Sequence, residues 1–265
     1  MKSRLTLRFI ALGYLTLLLG IPVALVFINA FQDGVGAAWD AVTTPEAQHA
    51  FWLTFIMVAV AVPLNTVFGV LCALAIVRQR FRGRAILNAM VDLPFAVSPV
   101  VVGLALLLVY GRRDGWVGEW LAENGIQVIF STPGMILATM FVSLPFVVRE
   151  VIPVLREIGT EQEQAAATLG SGGLQTFFRI TLPAIRWGVA YGVVLTTARA
   201  LGEFGAVSVV SGKLSGRTET ATLFVENRFQ RFDETGAYAA SVVLALLAFA
   251  TLLAMNLIKP KEAQG

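Results

Sequence analysis

Long apolar runs constrain this chain more than any other feature. From Phe9 to Ala30, and again from Phe51 to Val77, no side chain carries a charge. Each run exceeds the roughly 20 residues that an α-helix needs to cross a hydrocarbon core of about 30 Å. Inside such a core the backbone must satisfy its own polar groups, which an uninterrupted apolar run does by forming a helix. Four further runs follow: Leu87–Tyr110, Gly134–Val151, Ala184–Val210 and Ala237–Ile258. With only 14% charged residues and a mean hydropathy of +0.75, a soluble fold has too little polar surface to cover this much apolar side chain. The prediction is an all-α integral membrane protein of about six transmembrane helices, read as one domain over residues 1–265, with the fourth span only just long enough.

Charge placement orients these spans. Arg78, Arg80, Arg82 and Arg84 crowd the connection after the second run, whereas the connection before it holds Asp33, Asp40 and Glu46 without Lys or Arg. The positive-inside bias therefore puts the arginine loop in the cytoplasm and, by counting spans, both termini with it. Lys2, Arg4 and Arg8 before the first run and Lys259 and Lys261 after the last agree with that orientation. The first run is too long for a signal-peptide h-region, so it reads as a retained helix. Trp39, Trp52, Trp116 and Trp120 fall on the opposite side, as interfacial anchors in contact with membrane lipid.

Several functions are disfavoured by what the chain carries. Its net charge of +3 sits in short loops, so no basic face is offered to nucleic acid. One cysteine, Cys72, and one histidine, His49, suffice neither for a cluster nor for a bis-His haem, which argues against the membrane anchor of a respiratory enzyme. No catalytic site, metal site or cofactor is expected. An intramembrane hydrolase built on Ser98 lacks a base nearby. The phosphate-loop pattern of two glycines ahead of Lys-Ser/Thr does not occur, so ATP chemistry of that kind must come from a partner.

Between the fourth and fifth runs, over about residues 155–183, the composition changes. Thr160 to Leu169 is alanine-rich with Glu161 and Glu163 at its start, a helix former whose charges suit the helix dipole. Gly170-Ser171-Gly172-Gly173 interrupts it, Leu174 to Ile180 allows a second short helix presenting Phe177 and Phe178, and Pro183 allows a new helix to begin. Ala165, Ala166 and Ala167 would let another protein approach the backbone closely. The stretch reads as a cytosolic docking element, with an amphipathic loop on the membrane surface as the alternative.

Gln164-Ala165-Ala166, three residues, Gly170, nine residues, and Ile180-x-Leu182-Pro183 resemble the E-A-A-x3-G-x9-I-x-L-P signature of permease subunits of binding-protein-dependent ABC importers. The family glutamate is replaced by Gln164, with Glu161 and Glu163 adjacent. Asp92–Leu104, Gly125–Met135, Pro145–Leu155 and Ala198–Gly212 are together similar to the W-type permease subunits of sulfate/thiosulfate importers. That resemblance implies a type I ABC importer permease fold whose loop Glu161–Pro183 couples to a cytoplasmic ATPase. The residues assigned to coupling are Glu161, Glu163, Gln164, Ala165, Ala166, Gly170, Phe177, Ile180, Leu182 and Pro183. It also implies a bacterial inner-membrane location and a heterodimer with a T-type permease subunit. The remaining partners it implies are two ATPase subunits using ATP and Mg, and a periplasmic sulfate/thiosulfate-binding protein. A molybdate or tungstate permease remains the alternative within the class.

Three ionisable residues fall at membrane depth: Asp92 in the third run, and Arg199 and Glu203 in the fifth. Facing lipid would cost each about 2.5–3.5 kcal/mol on insertion scales, so they should face the bundle interior. Arg199 and Glu203 stand four apart and can pair, either as a structural bridge or with Arg199 lending positive potential to an anion pathway or gate. Asp92 is expected to hydrogen-bond neighbouring loops, with a place in the anion pathway or gate as the alternative. Pro94 and Pro99 should distort the third span, Ser98 then meeting a freed carbonyl or a passing anion, and Pro145 should kink the fourth.

Overall fold

The computed structural model describes residues 2–113 and 115–258, so Lys259 and Lys261 lie outside the described residues. Fourteen helices occur among them. The chain starts with α1 (Lys2–Leu15), a π-helical turn over Thr16–Gly20 and α2 (Ile21–Ala30), continuous in direction from Thr6 to Ala30. A short α3 (Val35–Val42) leads into α4 (Pro45–Arg78), whose Thr44 caps the first turn by accepting from the Ala47 N–H. α5 (Arg84–Ala96), α6 (Pro99–Tyr110) and α7 (Gly118–Glu123) precede α8 (Thr132–Glu157). Then come α9 (Glu161–Thr168), α10 (Gly173–Thr176), a π-helical turn over Phe177–Thr181, α11 (Leu182–Leu201), α12 (Gly205–Val210), α13 (Ala221–Gln230) and α14 (Glu234–Ile258).

Among the described residues, five stretches are long and apolar enough to cross a membrane, and a sixth if α5 and α6 together count as one. The predicted third span is not a single rod, because α5 and α6 meet at 114°. Pro99 is the cause: a residue before proline is driven out of the helical region, and Ser98 is extended at φ −59°, ψ 135°. Pro94, by contrast, lies buried within α5 without ending it. Ser98 meets no freed carbonyl as expected; its side chain makes no capping hydrogen bond and is exposed.

The fourth span is not marginal. α8 has 26 residues, or about 39 Å at 1.5 Å per residue, and continues as one helix through Pro145 and Pro153. The fifth span is displaced from the predicted 184–210. A continuous helix runs from Gly173 through the π turn and Pro183 to Leu201, so Pro183 starts no new helix. It stops at Gly202, and α12 follows as a separate piece.

The core is built around α4, α8 and α11. Val147 of α8 lies between two glycines: a Cβ on Gly69 would stand 2.7 Å from the Val147 Cβ, and one on Gly192 would stand 2.8 Å from its Cα. Small residues let the three backbones approach, which is the main source of attraction where lipid is as apolar as leucine. Polar side chains reinforce the seam: Asn65 donates to the Met140 carbonyl and to Ser143 Oγ, both at 2.9 Å. The two broken spans also pack on each other. Gly103 of α6 faces Val209 and the Ala206 carbonyl, and Gly205 of α12 faces Pro99, at distances that leave no room for a methyl group.

Candidate functional site

At one end of the bundle, the ends of α4 and α8 meet the segment from α9 to the start of α11. α9 closes in a Schellman arrangement: the Gly170 N–H donates to the Ala167 carbonyl and the Ser171 N–H to the Ala166 carbonyl, both at 3.0 Å. The geometry needs a left-handed residue, supplied by Gly170 at φ +84°. Helix and turn divide the predicted coupling residues into two sets. Glu161, Gln164, Ala165, Gly170 and Pro183 are exposed, whereas Ala166 is buried and Glu163, Phe177, Ile180 and Leu182 are half-buried.

The aromatics correct the sequence expectation. Phe177 packs inward against a cluster containing Val151, Leu155 and Ile185, and only Phe178 of the pair remains presented. The apolar side chains that stand out from the surface are Leu169, Leu174 and Phe178, 88%, 78% and 61% exposed. Sequence reasoning placed both leucines at helix bounds but assigned neither to docking, although both flank the glycine cluster where a helix end must project its side chains.

Glu163 supplies a charge contact beside the position where Gln164 has none. Its carboxylate lies 2.9 Å from Arg78 Nε and accepts a hydrogen bond of 2.9 Å from Thr181 Oγ1. Arg78 Nη1 donates to the Leu155 carbonyl at 3.0 Å, and Nη2 to the Gly159 carbonyl at 2.6 Å. Gln164 turns back on its own helix, donating to Thr160 Oγ1 at 3.0 Å.

Arg199, Glu203 and Asp92 each meet an opposite charge. Arg199 Nη1 lies 2.7 Å from Glu203 Oε2, and the glutamate side chain is 1% exposed. Its other oxygen accepts from the Ala206 N–H at 2.9 Å, which caps α12, while its carbonyl accepts from Thr222 Oγ1 at 2.7 Å. Arg before Glu is the weaker order on a regular helix. Here the helix has ended at Leu201, so Glu203 turns freely toward both partners.

Asp92 meets a helix instead of the loops expected for it. Arg149 of α8 grips it through two nitrogens, Nε at 2.7 Å from Oδ1 and Nη2 against Oδ2. Sequence reasoning missed Arg149 although it lies inside the predicted fourth span, where any charge is a signal. Arg149 and Arg199 are thus each matched by a carboxylate. The structure does not bring Ser98 into hydrogen-bonding contact with either pair.

A family model described as binding-protein-dependent transport system inner membrane component matches residues 65–264. The chain belongs to that family. Among curated relatives, the sulfate transport system permease protein CysW of Synechocystis sp. is 50% identical over 260 residues, covering 98% of this chain and 94% of the relative. The CysT protein of Synechococcus elongatus, also a sulfate transport system permease, is 39% identical over 246 residues, covering 93% and 88%. Among solved structures, a bacterial alginate ABC transporter in complex with alginate pentasaccharide-bound periplasmic protein superposes with a TM-score of 0.80. It is 18% identical over 99% of this chain and 95% of that one, a likeness of fold. The inner-membrane family and the multiple apolar helices together make this a multi-pass membrane protein.

Proposed function

We propose that this chain is the permease subunit through which an ATP-driven importer carries sulfate, with thiosulfate as a second substrate. The observation that carries the reading is 50% identity over nearly the whole length to a sulfate transport permease of the CysW type. The chain performs no covalent chemistry. A homologous T-type permease subunit completes the membrane channel, two ATPase subunits supply ATP and Mg chemistry, and a periplasmic binding protein selects the anion. The arginine loop and both termini face the cytoplasm.

Coupling runs through the segment from Glu161 to Pro183. Leu169, Leu174 and Phe178 form the apolar knobs that seat in the ATPase, and Gly170 shapes the turn between them. Arg199, held by Glu203, contributes positive potential where the dianion passes, while Asp92 and Ser98 sit beside the bend between α5 and α6.

The test is uptake of radiolabelled sulfate in cells lacking this chain, with unlabelled thiosulfate and molybdate as competitors. Loss of uptake, restored by the intact chain and competed by thiosulfate, supports the reading. Unimpaired sulfate uptake with lost molybdate uptake overturns the substrate and leaves the importer architecture.

A further inference from the structure

We infer that Arg78 is a positioning residue that fastens the ATPase-docking helix to the membrane helices, so that movement of α9 is passed to α4 and α8. The inference rests on the docking role proposed above for residues 161–183.

All three guanidinium nitrogens of Arg78 are engaged, and each reaches a different part of the fold. Nε takes Glu163 in the first turn of α9, Nη1 takes the Leu155 carbonyl in the last turn of α8, and Nη2 takes the Gly159 carbonyl in the turn between them. Arg78 is itself the last residue of α4. The carbonyls at the end of α8 have no partner within their own helix, so the arginine satisfies groups that the helix leaves open. Thr181 Oγ1 adds the start of the helix leading into α11 to the same carboxylate. Four helices therefore converge on one ion pair, whose side chains are only 15% and 21% exposed.

α9 has little else to hold it. Of its eight residues only Ala166 is buried, and a helix of that length is marginal by itself. A force applied by the ATPase to Leu169 and its neighbours would turn α9 about a soft joint unless something rigid ties it down. A planar fork that makes several bonds in fixed directions suits that task, whereas lysine presents a single point charge on a flexible stem. Arg78 hydrogen-bonds none of the exposed apolar knobs, so its loss leaves their side chains presented.

The experiment is reconstitution of the complete transporter in proteoliposomes, reading three quantities: ATPase association, ATP hydrolysis stimulated by sulfate-loaded binding protein, and sulfate imported per ATP hydrolysed. Arg78→Ala and Glu163→Ala should each keep ATPase association while import per ATP falls about tenfold, within the span of ordinary coupling effects. The double variant should fall by less than the two single losses combined, because both remove the shared ion pair while each also removes bonds of its own. Arg78→Lys and Glu163→Gln keep one hydrogen bond each and should give intermediate ratios. Import and hydrolysis reduced in proportion, with the ratio intact, would overturn the inference and leave Arg78 a stabilising residue. Loss of ATPase association in the Arg78 variants would equally overturn it. Failure of the docking role itself shows separately, as normal association and uptake in Gly170→Asp.

Discussion

Replacing Arg199 by alanine separates a structural ion pair from an anion pathway. The substitution leaves Glu203, 1% exposed at its side chain, without its cation. Removing one partner from a buried pair costs about 3–5 kcal/mol, and the 29% exposure of Arg199 places this case near about 3 kcal/mol. For a chain of this size that corresponds to a fall of about 6–12 °C in melting temperature. Arg199→Ala with Glu203→Gln removes the stranded charge, while the glutamine carbonyl still accepts from the Ala206 N–H. The double variant should therefore recover all but about 1 kcal/mol. Thermal melts of the purified complex and sulfate uptake in the same cells read the two effects. Restored stability without restored uptake assigns Arg199 to the pathway, whereas restored uptake makes the pair structural. A single variant that melts within about 2 °C of the parent would refute the reasoning, since no buried carboxylate would then depend on Arg199.

Gly170→Asp should leave a folded permease that no longer retains the ATPase on purification. A Cβ there meets nothing within 4 Å, and left-handed backbone costs an L-residue about 1–2 kcal/mol, least for Asp and Asn. Gly192→Ala should destabilise by about 1–3 kcal/mol through overpacking, read as lost yield and a lower melting temperature. Val147→Ala should not rescue it, because the atom in the way, 2.8 Å off, is the Val147 Cα. Asp92→Ala and Arg149→Ala should show a coupling energy of about 1 kcal/mol in a thermal double-mutant cycle; strictly additive losses would show that the two side chains do not interact.

The sequence by itself determined the class of the protein and the place of the segment proposed to couple to the ATPase. Long uncharged runs leave helices as the economical solution in lipid, and the residues from Gln164 to Pro183 mark the interruption between two such runs. Gly170 was legible for the same local reason: a helix that ends there needs a left-handed residue, and the φ of +84° bears this out. The Arg199–Glu203 pair was also legible, because its partners stand only four residues apart in the chain.

Only the tertiary structure decided which side chains of that segment face outward and which charges pair across helices. Phe177 and Phe178 are adjacent and chemically alike, yet the packing of α8 and α11 buries one and leaves the other. Proline alone did not say where a helix breaks: Pro94, Pro145 and Pro153 are carried within helices, while Pro99 turns the chain through 114°. Arg78 meets Glu163 across 85 residues and Arg149 meets Asp92 across 57. Contacts at that separation are set by how α8 packs against α4 and α5. No local pattern encodes them, because partners so far apart in the chain become neighbours only after the helices have packed.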